Sequence, residues 1–425
     1  MSGAIDILLH IGMQKAGSTA LQHRFAGLRD WLDARGLHYP QGLQTEHNHS
    51  LLVALGSRGQ RLPRHYETAY RGDVAAAAAA VEGWFDGVLA TARARGARRI
   101  LLSAETLFRL ETAEAVAPVA RVLRRAGGRL VVLAYLRAPA DYYAAQVQQR
   151  LKAGHVLIRP GPVPYRPPLT AWEGVADEIR VRRYDRALFP DRDIARAVQE
   201  EIGADPVPLP EGAGTPERNA SIGAEGMALM QDYRAAIHPR ANRKHRPDSA
   251  ALLRAIGRAE ARLGLSGPPR LHPELADRLD HGAPDLTWLK ARFGIAFPGI
   301  DYDRIAPAED GQAKDGRTKD GRAEAGPAGT WPVVRRVADI CPLDPERARR
   351  LTLETMAELA RSAGGAELAR GAGGAELARA GGTQPPASRR PRATEAQTPP
   401  QTPPQTPTAT AARSPGRPPT ARGPR

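Results

Sequence analysis

The sequence predicts an α/β domain built on a parallel sheet, and three observations predict it. Ile5 to Gly12 (IDILLHIG), Arg98 to Glu105 (RRILLSAE) and Arg129 to Arg137 (RLVVLAYLR) are near-continuous apolar runs, the pattern of strands covered on both faces. Helical patterns lie between them, and strands alternating with helices imply a parallel sheet flanked by helix layers. The first run leads through a glycine-bearing turn into a helix, as a phosphate-binding loop does. The expected class is therefore a P-loop-like three-layer fold.

The elements follow in order. After the first strand, Thr19 to Arg35, Val74 to Arg95, Thr106 to Arg125 and Ala140 to Lys152 read as helices, and Glu178 to Arg186 (EIRVRRYDR) reads as a fourth strand. Asp193 to Ile202, Ser221 to Ile237, Ala250 to Leu263 and Asp285 to Phe293 read as later helices. The run VAAAAAAV, Val74 to Val81, is too short to span a bilayer and is read as part of a helix, alanine being the strongest helix former. Near Ala306 the composition turns to Gly, Pro, Ala, Thr and charge, and GGAELAR occurs twice. Such a segment buries too little apolar surface to offset its ordering entropy. The expected division is an α/β domain over 1–305 and a largely disordered, low-complexity tail over 306–425, interrupted by one short helix near Pro345 to Ser362.

Bulk composition limits the function classes. The net charge of +15 over 425 residues makes anionic partners expected. The excess is spread along the chain and no base-reading motif is present, so nucleic acid is disfavoured. The arginines of the extreme tail offer a contact for an anionic surface. One cysteine, Cys341, excludes an internal disulfide and a multi-cysteine zinc site. The eleven histidines show no metal-ligand spacing, so no metal is expected. The N-terminus MSGAIDILLH lacks the pattern of a signal peptide, and a cytoplasmic location is expected.

The first turn carries the chemistry. In the common nucleotide loop, lysine follows a glycine and precedes Ser/Thr. Here Lys15 comes first, then Ala16, Gly17, Ser18, Thr19 and Ala20. Amides from Gly17 to Ala20 suit the charges of a sulfonate joined through oxygen to a phosphate. The two hydroxyls add hydrogen bonds to the phosphate. A lysine on the strand-side limb reaches the bridging oxygen, which gains charge as the S–O bond breaks.

Lys15-Ala16-Gly17-Ser18-Thr19-Ala20-Leu21 resembles the 5′-phosphosulfate loop of the sulfotransferases that use 3′-phosphoadenosine-5′-phosphosulfate (PAPS), roughly K-x-G-[ST]-[ST]-x-L after a first strand. YLRAPADYYAAQVQQ, from Tyr135, is similar to the family's 3′-phosphate segment, with Arg137 at the arginine and Pro139 at the proline. Ala145 stands where that segment has serine, and Gln146 or Tyr142 is the candidate substitute. Ser103 and Glu105 resemble the S-x-E of bacterial members, and looser likenesses continue in order to about residue 300. The resemblance implies PAPS as co-substrate, held by Lys15, Ala16, Gly17, Ser18, Thr19, Ala20 and Arg137.

A sulfonyl acceptor needs a base near the sulfur. The candidates are Glu105 and, from TEHNHSLL, His47 and His49. Some bacterial relatives have an Asn-His or His-His step there, which favours His49. The expected catalytic set is Lys15, His49 and Glu105. The expected acceptor is a hydroxyl or amine of a carbohydrate, glycolipid or small natural product. It would enter over the loops Gln41 to Arg71 and Gly154 to Trp172, which are basic and rich in His, Tyr and Pro. Two other readings stay open: a catalytically degenerate binding protein of the same fold, and a small-molecule kinase. The order of Lys15 and Gly17 weighs against the kinase.

Overall fold

The computed structural model describes residues 3–56, 62–189, 194–201, 221–242, 244–305 and 331–380. Its centre is a five-stranded sheet of β1 (Ile5–Gly12), β2 (Leu37–His38), β3 (Arg99–Ser103), β4 (Gly127–Leu136) and β5 (Glu178–Arg183), in the order β2-β3-β1-β4-β5. Every pairing is parallel. β1 lies in the middle, with Leu8 against Leu101 on one side and Val131 on the other. Leu9 and Ile11 are fully buried. Each such side chain contributes about 1.5–3 kcal/mol of transfer free energy, so the apolar runs that marked the strands also form the core.

The longer helices are α1 (Ser18–Gly27), α2 (Val74–Ala94), α3 (Ala113–Leu123), α4 (Pro139–Leu151), α5 (Arg166–Glu173), α6 (Ile194–Glu201), α7 (Ala224–Ile237), α8 (Pro247–Leu263), α9 (Pro273–His281), α10 (Asp285–Phe293) and α11 (Pro345–Ala380). The helix expected over Thr19 to Arg35 is interrupted at Leu28, beyond which a short helix, Arg29–Asp33, resumes. Thr106 to Arg125 divides into a 3-10 turn, Glu105–Arg109, and α3. α2 is long and apolar enough to cross a membrane by length and composition alone. It buries Ala77, Val81, Phe85, Val88 and Ala92, a 3.6-residue face packed in the core.

Two apolar clusters share α4 as their neighbour. The larger surrounds the sheet. The smaller joins Tyr143, Val147 and Leu151 of α4 to Met227, Ile256 and Leu279 of α7, α8 and α9. Trp331, Val337, Ile340 and Cys341 belong to that smaller cluster. This corrects the expected domain end at 305: the compact unit runs to Ala366. Composition pointed to a tail because apolar residues are sparse there. Of those present, Val337, Ile340, Cys341 and Leu351 are fully buried, while Val333, Leu353 and Met356 are exposed. Residues 306–330 and 381–425 of the expected tail lie outside the described residues.

Candidate functional site

β1, β3 and β4 end at one edge of the sheet, and in open parallel sheets ligands bind beyond that edge. Between β1 and α1 the chain makes a tight turn. Lys15 has φ 65° and Gly17 φ 78°. For lysine that region is uncommon and costs on the order of 1 kcal/mol or more. A Cβ at Gly17 would stand 2.6 Å from Cε2 of Tyr184, so the ring lies directly on the glycine. α1 then begins with no side-chain cap, which leaves its first amides for a ligand. Ser18 is buried, and its hydroxyl has no hydrogen-bond partner among the described residues. Thr19 is exposed, Ala20 half-buried and Ala16 fully buried.

Lys15 does not project freely into water. Its Nζ donates to Oε1 of Gln149 at 2.7 Å. Burial pushes its pKa down to about 8. Lys152 and Arg137 push the same way and Glu105 opposes them. Arg137 follows β4 and donates from Nη1 to the Lys15 carbonyl at 2.9 Å, with its guanidinium 5.5 Å from the centre of the Tyr184 ring. Glu105 opens the turn after β3 and accepts from Nε2 of Gln22 at 2.6 Å. Gln22 also donates to Oγ of Ser103 at 3.1 Å, and that hydroxyl bonds Nδ1 of His10 at 2.8 Å. Burial pushes His10 down to about 4, so it is neutral near pH 7. The structure thus brings Lys15, Glu105 and Arg137 together at one edge.

His49 departs from expectation. Its Nδ1 accepts from the Ser103 amide at 2.9 Å, so its Nε2–H donates to the Pro40 carbonyl at 3.0 Å. Both nitrogens are committed to backbone. The ring is buried, and burial lowers its pKa to about 4. It ties the Pro40 loop to the end of β3 and has no lone pair to offer an acceptor hydroxyl. His47 lies in the same loop, its ring centroid 4.0 Å from that of His23. Ala145, the residue in the serine position, is half-buried on α4, one turn before Gln149. Gln146 donates to the Tyr142 hydroxyl at 2.6 Å. Trp288 packs on the flank of the main core, edge-on to Phe293 at 5.4 Å.

Sequence reasoning missed Gln22, Gln149, Lys152 and Tyr184. A signal existed for two of them: Ala145, Gln149 and Lys152 are spaced i, i+4, i+7, one helix face. A separate cleft of about 360 Å3 lies along the β5 edge, lined by Tyr135, Arg182, Arg183, Phe189, Glu201 and Ile295 among others; none of Lys15, Glu105 or Arg137 lines it. Among the described residues no group of three or more His, Cys, Asp or Glu could hold a metal ion.

No family model matches the chain, and no curated protein matches it. A solved structure from the PezAT chromosomal toxin-antitoxin system of Streptococcus pneumoniae aligns with 47% of this chain and 78% of its own length, at 16% identity. Its TM-score is 0.25, and at that level the likeness carries no argument.

Proposed function

We propose that this chain is a sulfotransferase moving a sulfonate from PAPS to a hydroxyl or amine of an acceptor. One observation carries the reading: a partly buried lysine, Lys15, with its ammonium fixed by Gln149, immediately precedes an uncapped helix start and Ser18, whose buried hydroxyl has no partner among the described residues. That combination supports a site for a compact, multiply charged anion. In the proposed step the acceptor oxygen attacks sulfur in line. The bond from sulfur to the bridging oxygen breaks, and 3′-phosphoadenosine-5′-phosphate leaves. Lys15 meets the charge that develops on that oxygen, and the loop amides hold the phosphate. The acceptor proton passes to Glu105, which replaces His49 as the base because its carboxylate faces the same edge. Arg137 is the proposed partner of the 3′-phosphate. The acceptor class stays that of a carbohydrate, glycolipid or small natural product.

A binding protein without turnover is the second reading. Ala145, which cannot donate a hydrogen bond to the 3′-phosphate, favours it. Titration calorimetry with 3′-phosphoadenosine-5′-phosphate, with no magnesium present, tests the proposal. Micromolar binding that disappears in Lys15→Ala supports donor recognition. Transfer of labelled sulfonate from PAPS to an extract then separates enzyme from binder. No binding at all defeats the PAPS reading, and binding that requires millimolar magnesium would favour a kinase instead.

A further inference from the structure

We infer that the outward face of α11 is where two copies of this chain meet, side by side and antiparallel. The inference goes beyond donor binding and does not depend on it. α11 is built inside out. Its inward positions, Leu351, Thr355 and Glu358, are buried, and two of the three are polar. Glu358 accepts from Nε of Arg258 at 2.8 Å and pairs with Nε of Arg262 at 2.5 Å, both on α8. Glu225 of α7 accepts from Nη2 of Arg347 at 2.7 Å. Charge does much of the docking on that side. The outward positions carry the apolar residues instead: Leu353 is 56% exposed, Met356 61% and Leu359 37%. Ala360 is exposed as well.

One exposed aliphatic side chain is ordinary on a protein surface. Leu353, Met356 and Ala360 are different, because their i, i+3, i+7 spacing makes one stripe along the helix, with Leu359 on its flank. Such a stripe is the seam of a helix pair. Residues 306–330 and 381–425, on either side of the 331–380 segment, contain no Val, Ile, Leu, Met, Phe, Tyr or Trp. They have nothing apolar to lay on it. A second copy has, since a two-fold interface sets a patch against itself and apolar then meets apolar. Charge sets the direction. Arg349 and Arg350 stand at the N-terminal end of the stripe, and both are exposed. A parallel pair would put them beside their own copies, where like charges repel. An antiparallel pair with its axis at Met356 puts Arg350 beside Ser362, Leu353 beside Leu359, and Met356 against itself.

Sedimentation velocity of the full-length protein over a range of concentrations tests this. A monomer–dimer equilibrium is expected. Met356→Glu, at the axis, should weaken the dimer at least about tenfold, as loss of a central contact does. Mixing Met356→Glu with Met356→Lys should restore a dimer of the two. Cys341 is buried, so cross-linking can be read from introduced thiols. Leu353→Cys should link to Leu359→Cys and not to itself; self-linking would overturn the antiparallel arrangement. A dimer that neither Met356→Glu nor Leu353→Glu weakens has its interface elsewhere, and the inference falls. It falls too if wild-type protein stays monomeric, and the variants then say what the stripe serves. Binding to phosphatidylcholine–phosphatidylserine vesicles that Met356→Glu abolishes would make it a membrane face. A monomer whose melting temperature drops in Met356→Glu would have the stripe covered from within, by Ile202, Val207 and Leu209 of residues 202–220.

Discussion

Arg234 and Lys15 are both basic side chains withdrawn from water, and their surroundings differ. Arg234, on α7, is fully buried and donates to Oγ of Ser249 at 2.9 Å. It also spans the carbonyls of Ala153 at 2.8 Å, Ala241 at 2.6 Å and Lys244 at 3.0 Å. It ties two loops to a helix and closes its own charge in a cage of acceptors. Among the described residues Lys15 has one side-chain acceptor, Gln149, and its charge feels two cations, Lys152 and Arg137, against one acid, Glu105. The comparison teaches that burial of a charge is not itself a functional sign. What the surroundings leave over is the sign: acceptors in excess make a structural clasp, cations in excess make a site for an anion.

The sharpest way to break the comparison is to delete each charge. Arg234→Leu leaves several buried acceptors unmade, each worth about 1–3 kcal/mol. Chemical denaturation should show a loss of about 3 kcal/mol or more. Lys15→Ala should do the reverse. Nucleotide affinity is expected to fall by about two orders of magnitude or more, while the denaturation midpoint at pH 7 stays within about 1 kcal/mol. Were Lys15→Ala to unfold the protein and Arg234→Leu to leave it intact, the contrast would be wrong.

pH sharpens it next. Lys15 titrates near 8 in the free protein, below the ordinary 10.5. A bound anion raises that value, so affinity should be flat below pH 8 and fall as pH rises through and above it. Calorimetry between pH 7 and 9 reads the slope. The same depression means the charged form is the disfavoured one in the fold. Its cost to stability is fully present below pH 8 and fades as pH climbs from there toward 10.5.

Gly17→Ala is a smaller perturbation. A methyl at φ 78° against the Tyr184 ring should cost about 1–3 kcal/mol. Thermal melts read the loss, and weaker nucleotide binding should accompany it.

The smallest expected effect lies in the helical cluster. Glu260 is buried and accepts from the Gly223 amide at 2.8 Å. Burial, with Glu225 nearby, raises its pKa to about 7. The folded state therefore holds that proton more tightly, and stability drops as pH rises from about 4.5 to 7. Glu260→Gln should leave the melting temperature unchanged at pH 5 and raise it by a few degrees at pH 8. A rise at pH 5 would show that the carboxyl is charged there and that the assignment is wrong.

The strands were legible because each run buries both faces, and that leaves a local apolar signature. β1 matches its run, Ile5 to Gly12, to the residue. β2 was not legible: two residues, Leu37 and His38, are too few to carry any period. α5 was hidden in a proline-rich segment, where the two prolines of RPPLTAWE fall in its first turn, the place a helix tolerates them. In the site, Lys15 to Thr19 were legible as a motif because the loop is contiguous. His49 was misjudged because the atoms that occupy it, the Ser103 amide and the Pro40 carbonyl, come from 54 and 9 residues away.

The sequence by itself determined the parallel α/β class and the position of the phosphate-loop pattern after the first strand. Both follow from neighbours in the chain: apolar runs choose strands, and glycine permits the turn. Only the tertiary structure decided which charges share an edge, that His49 is a backbone clasp, and that Trp331 to Cys341 complete a core rather than begin a tail. Those outcomes depend on which distant groups meet when apolar faces are buried, and no local stretch of residues encodes that meeting.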